Sequence, residues 1–147
     1  MKILFLIIAI VNSLLANDII VKQSSCSVDV TVENIKNILR ANDMSVFAII
    51  NHRGNAKMVN MKLNKSKMIV FGKAELGTVL MQQDMRVGLD LPLRILVYLD
   101  TDNKVKMAYR DGSWLENKHI LNAPKKVKKI NEGMQTITNK AGQCKQD

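Results

Sequence analysis

The chain is 147 residues long with a formal charge of +9, and 47% of it is hydrophobic and 24% charged. That balance excludes a disordered or fibrous polymer, and the length suits one domain with a real core better than two. Aromatic residues make up only 4% and no recognised binding motif accompanies the lysines, which argues against nucleic acid as the partner of this charge.

The first segment reads as export machinery. Lys2 supplies a basic start, residues 3–11 an apolar stretch, and residues 13–16 a cleavage site, so residues 1–16 are predicted to be a cleaved signal peptide. The apolar run is shorter than the ~20 residues that cross a bilayer. The mature protein is then expected in the periplasm of a Gram-negative source, or secreted from another. Residues 19–24 are short, apolar and β-branched, as a first strand should be. Thr31 is placed to cap a helix in which Val32, Ile35, Ile38 and Leu39 share a face, and Asn42-Asp43 ends it. Residues 45–51 are almost continuously apolar and predict a central strand. Arg53-Gly54-Asn55 then turns the chain into a short helical connection carrying Met58 and Met61.

A third strand over 67–71 stops at Gly72. Two helical pieces follow, one over 75–83 and a shorter one capped by Asp84, before Leu91-Pro92 forbids continuation. Residues 93–99 and 104–110 flank the polar Asp100-Thr101-Asp102-Asn103 turn and predict a hairpin. In its second strand Val105, Met107 and Tyr109 alternate with Lys104, Lys106 and Arg110, which predicts one wet face. Ser113-Trp114-Leu115-Glu116 has capping-box spacing and predicts a helix through Leu121. Pro124 opens a terminal helix with Val127, Ile130, Met134 and Ile137 on one stripe. Gly133 weakens it by roughly 1 kcal/mol and lysines crowd its first turn, so it needs a docking surface. The pattern predicts a single α+β domain, an antiparallel sheet of four to five strands with helices mainly on one face. Its organisation reads as a signal over 1–16, a domain over 17–122 and a basic helix or tail over 123–147.

Candidate chemistry is sparse. Cys26 and Cys144 are the only cysteines, and in an exported chain they are expected to pair. His52 ends an apolar strand beside Asn51 and Arg53 and before a glycine turn, a place where binding groups gather. The plainer role for His52 is a backbone-bonded strand cap, and for His119 a complement to a helix C-terminus. Met58, Met61, Met81 and Met85 have spacings that would offer thioethers to copper(I), although helical core packing explains the same spacings. No zinc-ligand spacing, nucleophile elbow or phosphate loop occurs. Asp84 and Asp90 read as a cap and a turn, and acid-base work by His52 would require Asp90 or Asp100 to be brought to it. The lysines of 123–147 admit attraction to an anionic surface, or simply a solvated face.

Several of these positions carry a family likeness. Phe71-Gly72, Leu76-Gly77-Thr78, Leu80-Met81-Gln82 and Leu91-Pro92, with Ile50-Asn51-His52 and Asn55-Ala56-Lys57 upstream, resemble the signature of domain of unknown function three-hundred-and-two. The likeness spans about residues 18–121, with Ala74 and Ser66 standing where that family often has proline. It implies the same α+β arrangement and a tendency to form homodimers, and assigns no chemistry.

Three functions follow as expectations. The first is a small-ligand or metal binding and sensing module, its site formed by His52, Asn51, Arg53, Gly72 and Met81, because polar and glycine positions gather at element ends. The second is an enzyme using His52 as acid or base. The third is a self-associating interaction protein with a basic tail.

Overall fold

The computed structural model describes residues 18–144, so the predicted signal peptide and the last three residues lie outside the described part. Within it, five strands form one antiparallel sheet in the order β1-β5-β4-β3-β2. These are β1 (Ile20–Ser24), β2 (Ser45–Asn51), β3 (Ser66–Gly72), β4 (Leu93–Leu99) and β5 (Val105–Tyr109). The register lines up Ile20, Tyr109, Ile95, Ile69 and Ile49 across all five strands on one face. That face is covered by α1 (Val28–Ala41) and α5 (Pro124–Ala141), whose stripes Val28, Val32, Ile35, Leu39 and Val127, Ile130, Met134, Ile137 are all buried. Alternation along each strand supplies the pattern, and burying the apolar half against two amphipathic helices holds the layers together.

The remaining helices sit at the sheet's ends. They are α2 (His52–Met58), α3 (Ala74–Met81), a single 3-10 turn over Met85–Leu89, and α4 (Gly112–Lys118). Among these, α2 and the segment after it overhang the uncovered face at one end of β3 and β4.

Four expectations are corrected. Helix α1 starts one turn earlier than predicted: Ser27 caps it by accepting from the Val30 N–H. Thr31 instead lies buried inside, its hydroxyl 2.7 Å from that of Ser24 and donating to the Ser27 carbonyl at 2.8 Å. Both residues are cap-competent and one turn apart, so helical spacing cannot separate them. Strand β2 is an edge strand with most of its side chains exposed, not a central one. The helix layer stops short of it, leaving Val46, Phe47 and Ile49 exposed. Helix α4 is capped by Asp111, which accepts from the Trp114 N–H, rather than by Ser113. It ends at Lys118 instead of Leu121 because His119 turns to extended backbone (φ −129°, ψ 159°) and reaches Asp90. The hairpin turn, the Asp84 cap and the terminal helix stand where they were predicted.

Candidate functional site

Strand β2 ends at Asn51, whose side-chain oxygen accepts the Gly54 N–H at 2.9 Å and so starts α2. A Cβ on Gly54 would sit 3.0 Å from the Asn51 carboxamide, so glycine is what lets that side chain fold over the turn. The chain then runs back through residues 59–65 to β3, and a cleft of about 890 Å³ opens between this excursion and the sheet. Its floor is Leu96, Tyr98 and Leu99, with Ser66 beside them. Its basic side chains are His52, Arg53, Lys57 and Lys62.

Among the described residues one carboxylate lines the cleft, that of Asp100. It is already engaged by the Lys106 ammonium, which also meets Asp102 at 3.0 Å. The Lys106 partner and the Thr101 N–H hold the Asp100 carboxyl below the usual range, so it stays charged and matched. Among the described residues no acidic side chain lies within ion-pair distance of Arg53, Lys57 or Lys62. The cleft therefore presents unmatched positive charge above an apolar floor. That combination suits an anion with an organic body.

The predicted site divides in two. His52, Arg53 and the Asn51 cap belong to this cleft, but Gly72 and Met81 do not. Strands β2 and β3 run antiparallel with Asn51 opposite Lys67 and Ser45 opposite Gly72, which puts His52 and Gly72 at opposite ends of β3. A seven-residue strand separates them by roughly 20 Å. Gly72 and Met81 line a different, mainly apolar cleft of about 230 Å³ with Phe47, Leu76, Gly88 and Pro92.

Nor do the methionines assemble. Met58, Met61 and Met85 are 83%, 66% and 75% exposed, so the core packing expected from their spacing is wrong for these three. Met81 is half-buried, and its sulfur lies 3.1 Å from where a Cβ on Gly88 would be. Short helices with a wet side carry helical spacing without a buried face behind it. Among the described residues no cluster of three or more His, Cys, Asp or Glu side chains is placed to hold a metal.

Acid-base geometry falls on the other histidine. His119, 9% exposed, places Nε2 2.7 Å from Asp90 Oδ2 and Nδ1 3.7 Å from Asp84 Oδ2. Arg86 grips both oxygens of Asp84 at 2.9 Å, and the Ile120 N–H adds a bond at 3.2 Å. These contacts hold the Asp84 carboxyl well below its ordinary value, the Arg86 side chain contributing most. Asp90 is thus spoken for by His119, and His52 meets neither carboxylate that acid-base work would need. Sequence reading assigned Asp84, Asp90 and His119 separate local jobs because the chain brings them together only through the loop after α4.

The cysteines do pair. Cys26 and Cys144 form a disulfide with Cα atoms 5.3 Å apart, and beside it the Ser25 N–H donates to the Gly142 carbonyl at 2.8 Å. The lysines of α5 ride on its outer side and its inner stripe is docked, so this helix is a packed element of the domain.

The chain matches the family described as "Domain of unknown function DUF302" over residues 20–141, α5 included. It is 33% identical over 131 residues to the "Fluoride-specific ion channel FluC 1" of Brucella suis biovar 1 (strain 1330), covering 88% of this chain and 52% of that protein. The same identity and span hold for the "Fluoride-specific ion channel FluC 1" of Brucella abortus biovar 1 (strain 9-941), with 48% of that protein covered. The chain spans about half the length of the curated relatives it matches. Among the described residues no helix is long and apolar enough to cross a membrane. A crystal structure of an uncharacterized conserved DUF302 protein from Bacillus stearothermophilus shares the fold, with a TM-score of 0.74, 13% identity, and 86% and 99% of the two chains covered.

Proposed function

Because the chain belongs to the DUF302 family, whose description names a domain and no reaction, we propose its role from its own surface: a small-ligand-binding module that takes an organic anion in the cleft beneath α2. One observation carries the reading. Four basic side chains line a cleft whose single carboxylate is already matched by Lys106. Lys57, Lys62 and Arg53 supply attraction, His52 offers a further hydrogen-bonding group, and Leu96 and Tyr98 receive the body of the ligand. A thermal-shift panel of organic mono- and dianions tests it. Stabilisation is expected to grow with anion concentration, to weaken with added salt, and to disappear in the Lys57→Ala, Lys62→Ala double variant. No shift with any anion at millimolar concentration would refute it.

Export belongs to the same proposal. The Cys26–Cys144 bond supports an oxidising compartment, and residues 1–16 have the composition of a leader. Mass spectrometry of the protein recovered from its native host would show a new N-terminus just after Ala16.

The relatives favour a second reading, in which the chain serves as an appended module of an anion channel, since the Brucella proteins it matches are named as fluoride channels. A bare fluoride ion would fill only a small part of about 890 Å³, so we prefer a larger ligand. Fluoride in the same panel separates the two: stabilisation by fluoride alone would favour the channel module.

A further inference from the structure

The face of the sheet opposite α1 and α5 was expected to be wet, and the row of Gln23, Lys106, Tyr98 and Ser66 is polar. Its middle row is not. Val21, Ala108, Leu96, Met68 and Ile50 stand in register on successive strands, an apolar band about 19 Å long at ordinary strand spacing. Leu96 at its centre lines two clefts at once, the one beneath α2 and a second of about 240 Å³ that runs on over Met68 and Ala108 to Arg94 and Trp114. The two clefts therefore form one groove that follows β4 and crosses the band at Leu96, apolar where it passes Leu96, Met68 and Ala108 and most basic at the α2 end.

Acidic groups along the groove are all engaged. Asp100 is held by Lys106, Asp90 by His119, and Asp111 by the Trp114 N–H. Unmatched positive charge concentrates at the α2 end, in Arg53, Lys57 and Lys62, whereas at the other end Arg110 stacks on the Trp114 ring at 4.5 Å and Arg94 reaches Asp90 at 4.0 Å. The groove crosses the band at Leu96, where Met68 and Ala108 flank it; apolar surface there marks a place that some partner covers, and the basic α2 end selects the partner. A second copy laid on this face would bring together two chains that are each strongly basic. A long molecule with a negative head meets no such penalty.

We propose that the groove binds a free single-chain amphiphile with an anionic head, the head among Arg53, Lys57 and Lys62 and the alkyl chain along β4 over Leu96 and Met68 toward Trp114. This rests on the anion cleft argued above and extends it by the apolar band. The head forms charge-assisted hydrogen bonds, and each methylene laid on the band leaves water.

Trp114 is the only tryptophan, so its emission reports on the far end of the groove. Titrating the purified protein with acetate, octanoate and dodecanoate, each below its micelle concentration, is expected to give emission changes with dodecanoate binding at least about tenfold tighter than octanoate. Dodecyltrimethylammonium, with the same tail and the opposite head, should not bind. Met68→Glu and, separately, Ala108→Glu should remove the chain-length dependence while small anions still raise the melting temperature, with circular dichroism confirming that each variant folds. Lys57→Ala with Lys62→Ala should weaken dodecanoate by about tenfold or more. Equal affinity for octanoate and dodecanoate would overturn the groove and leave the anion cleft standing. Equal binding of the cationic amphiphile would overturn the role given to the lysines. Concentration-dependent dimers that Met68→Glu abolishes, without dodecanoate binding, would assign the band to a second copy instead. If no anion of any length binds, both readings fail together.

Discussion

His119 stands between two carboxylates, with Nε2 2.7 Å from Asp90 and Nδ1 3.7 Å from Asp84, so one imidazole ties the loop after α4 to both ends of the 84–90 turn. The ring is almost out of contact with solvent, and Asp84 is buried with it. Replacing His119 with alanine leaves Asp90 without its shortest hydrogen bond and opens a gap beside Asp84. A loss of about 1 to 3 kcal/mol in urea unfolding is expected. Wild-type stability in His119→Ala would show that the clasp contributes nothing.

The same cluster predicts an acid-sensitive fold. Arg86 foremost, then the Ile120 N–H, depress the Asp84 carboxyl in the folded state. A depressed carboxyl contributes stability that is present above the unfolded value of about 3.9 and is lost as the pH falls below it toward the folded value. Asp84→Asn keeps an oxygen to accept the Arg86 N–H but removes the charge. The gap in urea midpoint between wild type and Asp84→Asn should be widest near neutral pH and shrink in acid. A gap that stays constant with pH would show that charge plays no part.

The disulfide closes a span of 118 residues between the end of β1 and the end of α5. By loop-closure entropy it should stabilise by about 4 to 5 kcal/mol, mostly by restricting the unfolded chain. Cys26→Ser with Cys144→Ser, or reduction by dithiothreitol, should lower the unfolding free energy by about that amount. Guanidinium unfolding with and without reductant checks it, and an unchanged midpoint would rule out a stabilising role.

Two glycines should respond in opposite directions to the same change. At Gly112 an added Cβ would lie 2.6 Å from the Val127 carbonyl oxygen and 3.1 Å from the Ile130 Cβ, since α4 and α5 touch backbone to backbone there. Gly112→Ala should destabilise by about 1 to 3 kcal/mol. At Gly133, inside α5, nothing lies within 4 Å of the added carbon, and alanine should stabilise by about 0.5 to 1 kcal/mol. Thermal melts of the two variants should move to opposite sides of wild type.

Local chemistry explains what could be read in advance. The Asp100–Asn103 turn, the Asp84 cap and the stripe from Val127 to Ile137 each lie within a few residues of chain, and each formed where its side chains predicted. The β4–β5 hairpin follows from strand alternation on either side of a polar turn, which the sequence displays openly. The basic side of the cleft was legible in part, because His52 and Arg53 adjoin a glycine turn. Lys57 and Lys62 were hidden, since a lysine in a short helix or in the loop after it carries no sign of which way it faces.

From the residues alone came the α+β class, one domain, the two-cysteine pairing and the position of most elements, all consequences of propensity, periodicity and capping over short distances. Tertiary structure decided that β2 lies at an edge, that His52 and Gly72 sit at opposite ends of one strand, that His119 meets Asp84 and Asp90, and that Leu96 joins two clefts into one groove. Those outcomes depend on strand order and on which faces the helices cover. They are set by burying apolar surface contributed from distant parts of the chain, and no window of neighbouring residues contains that information.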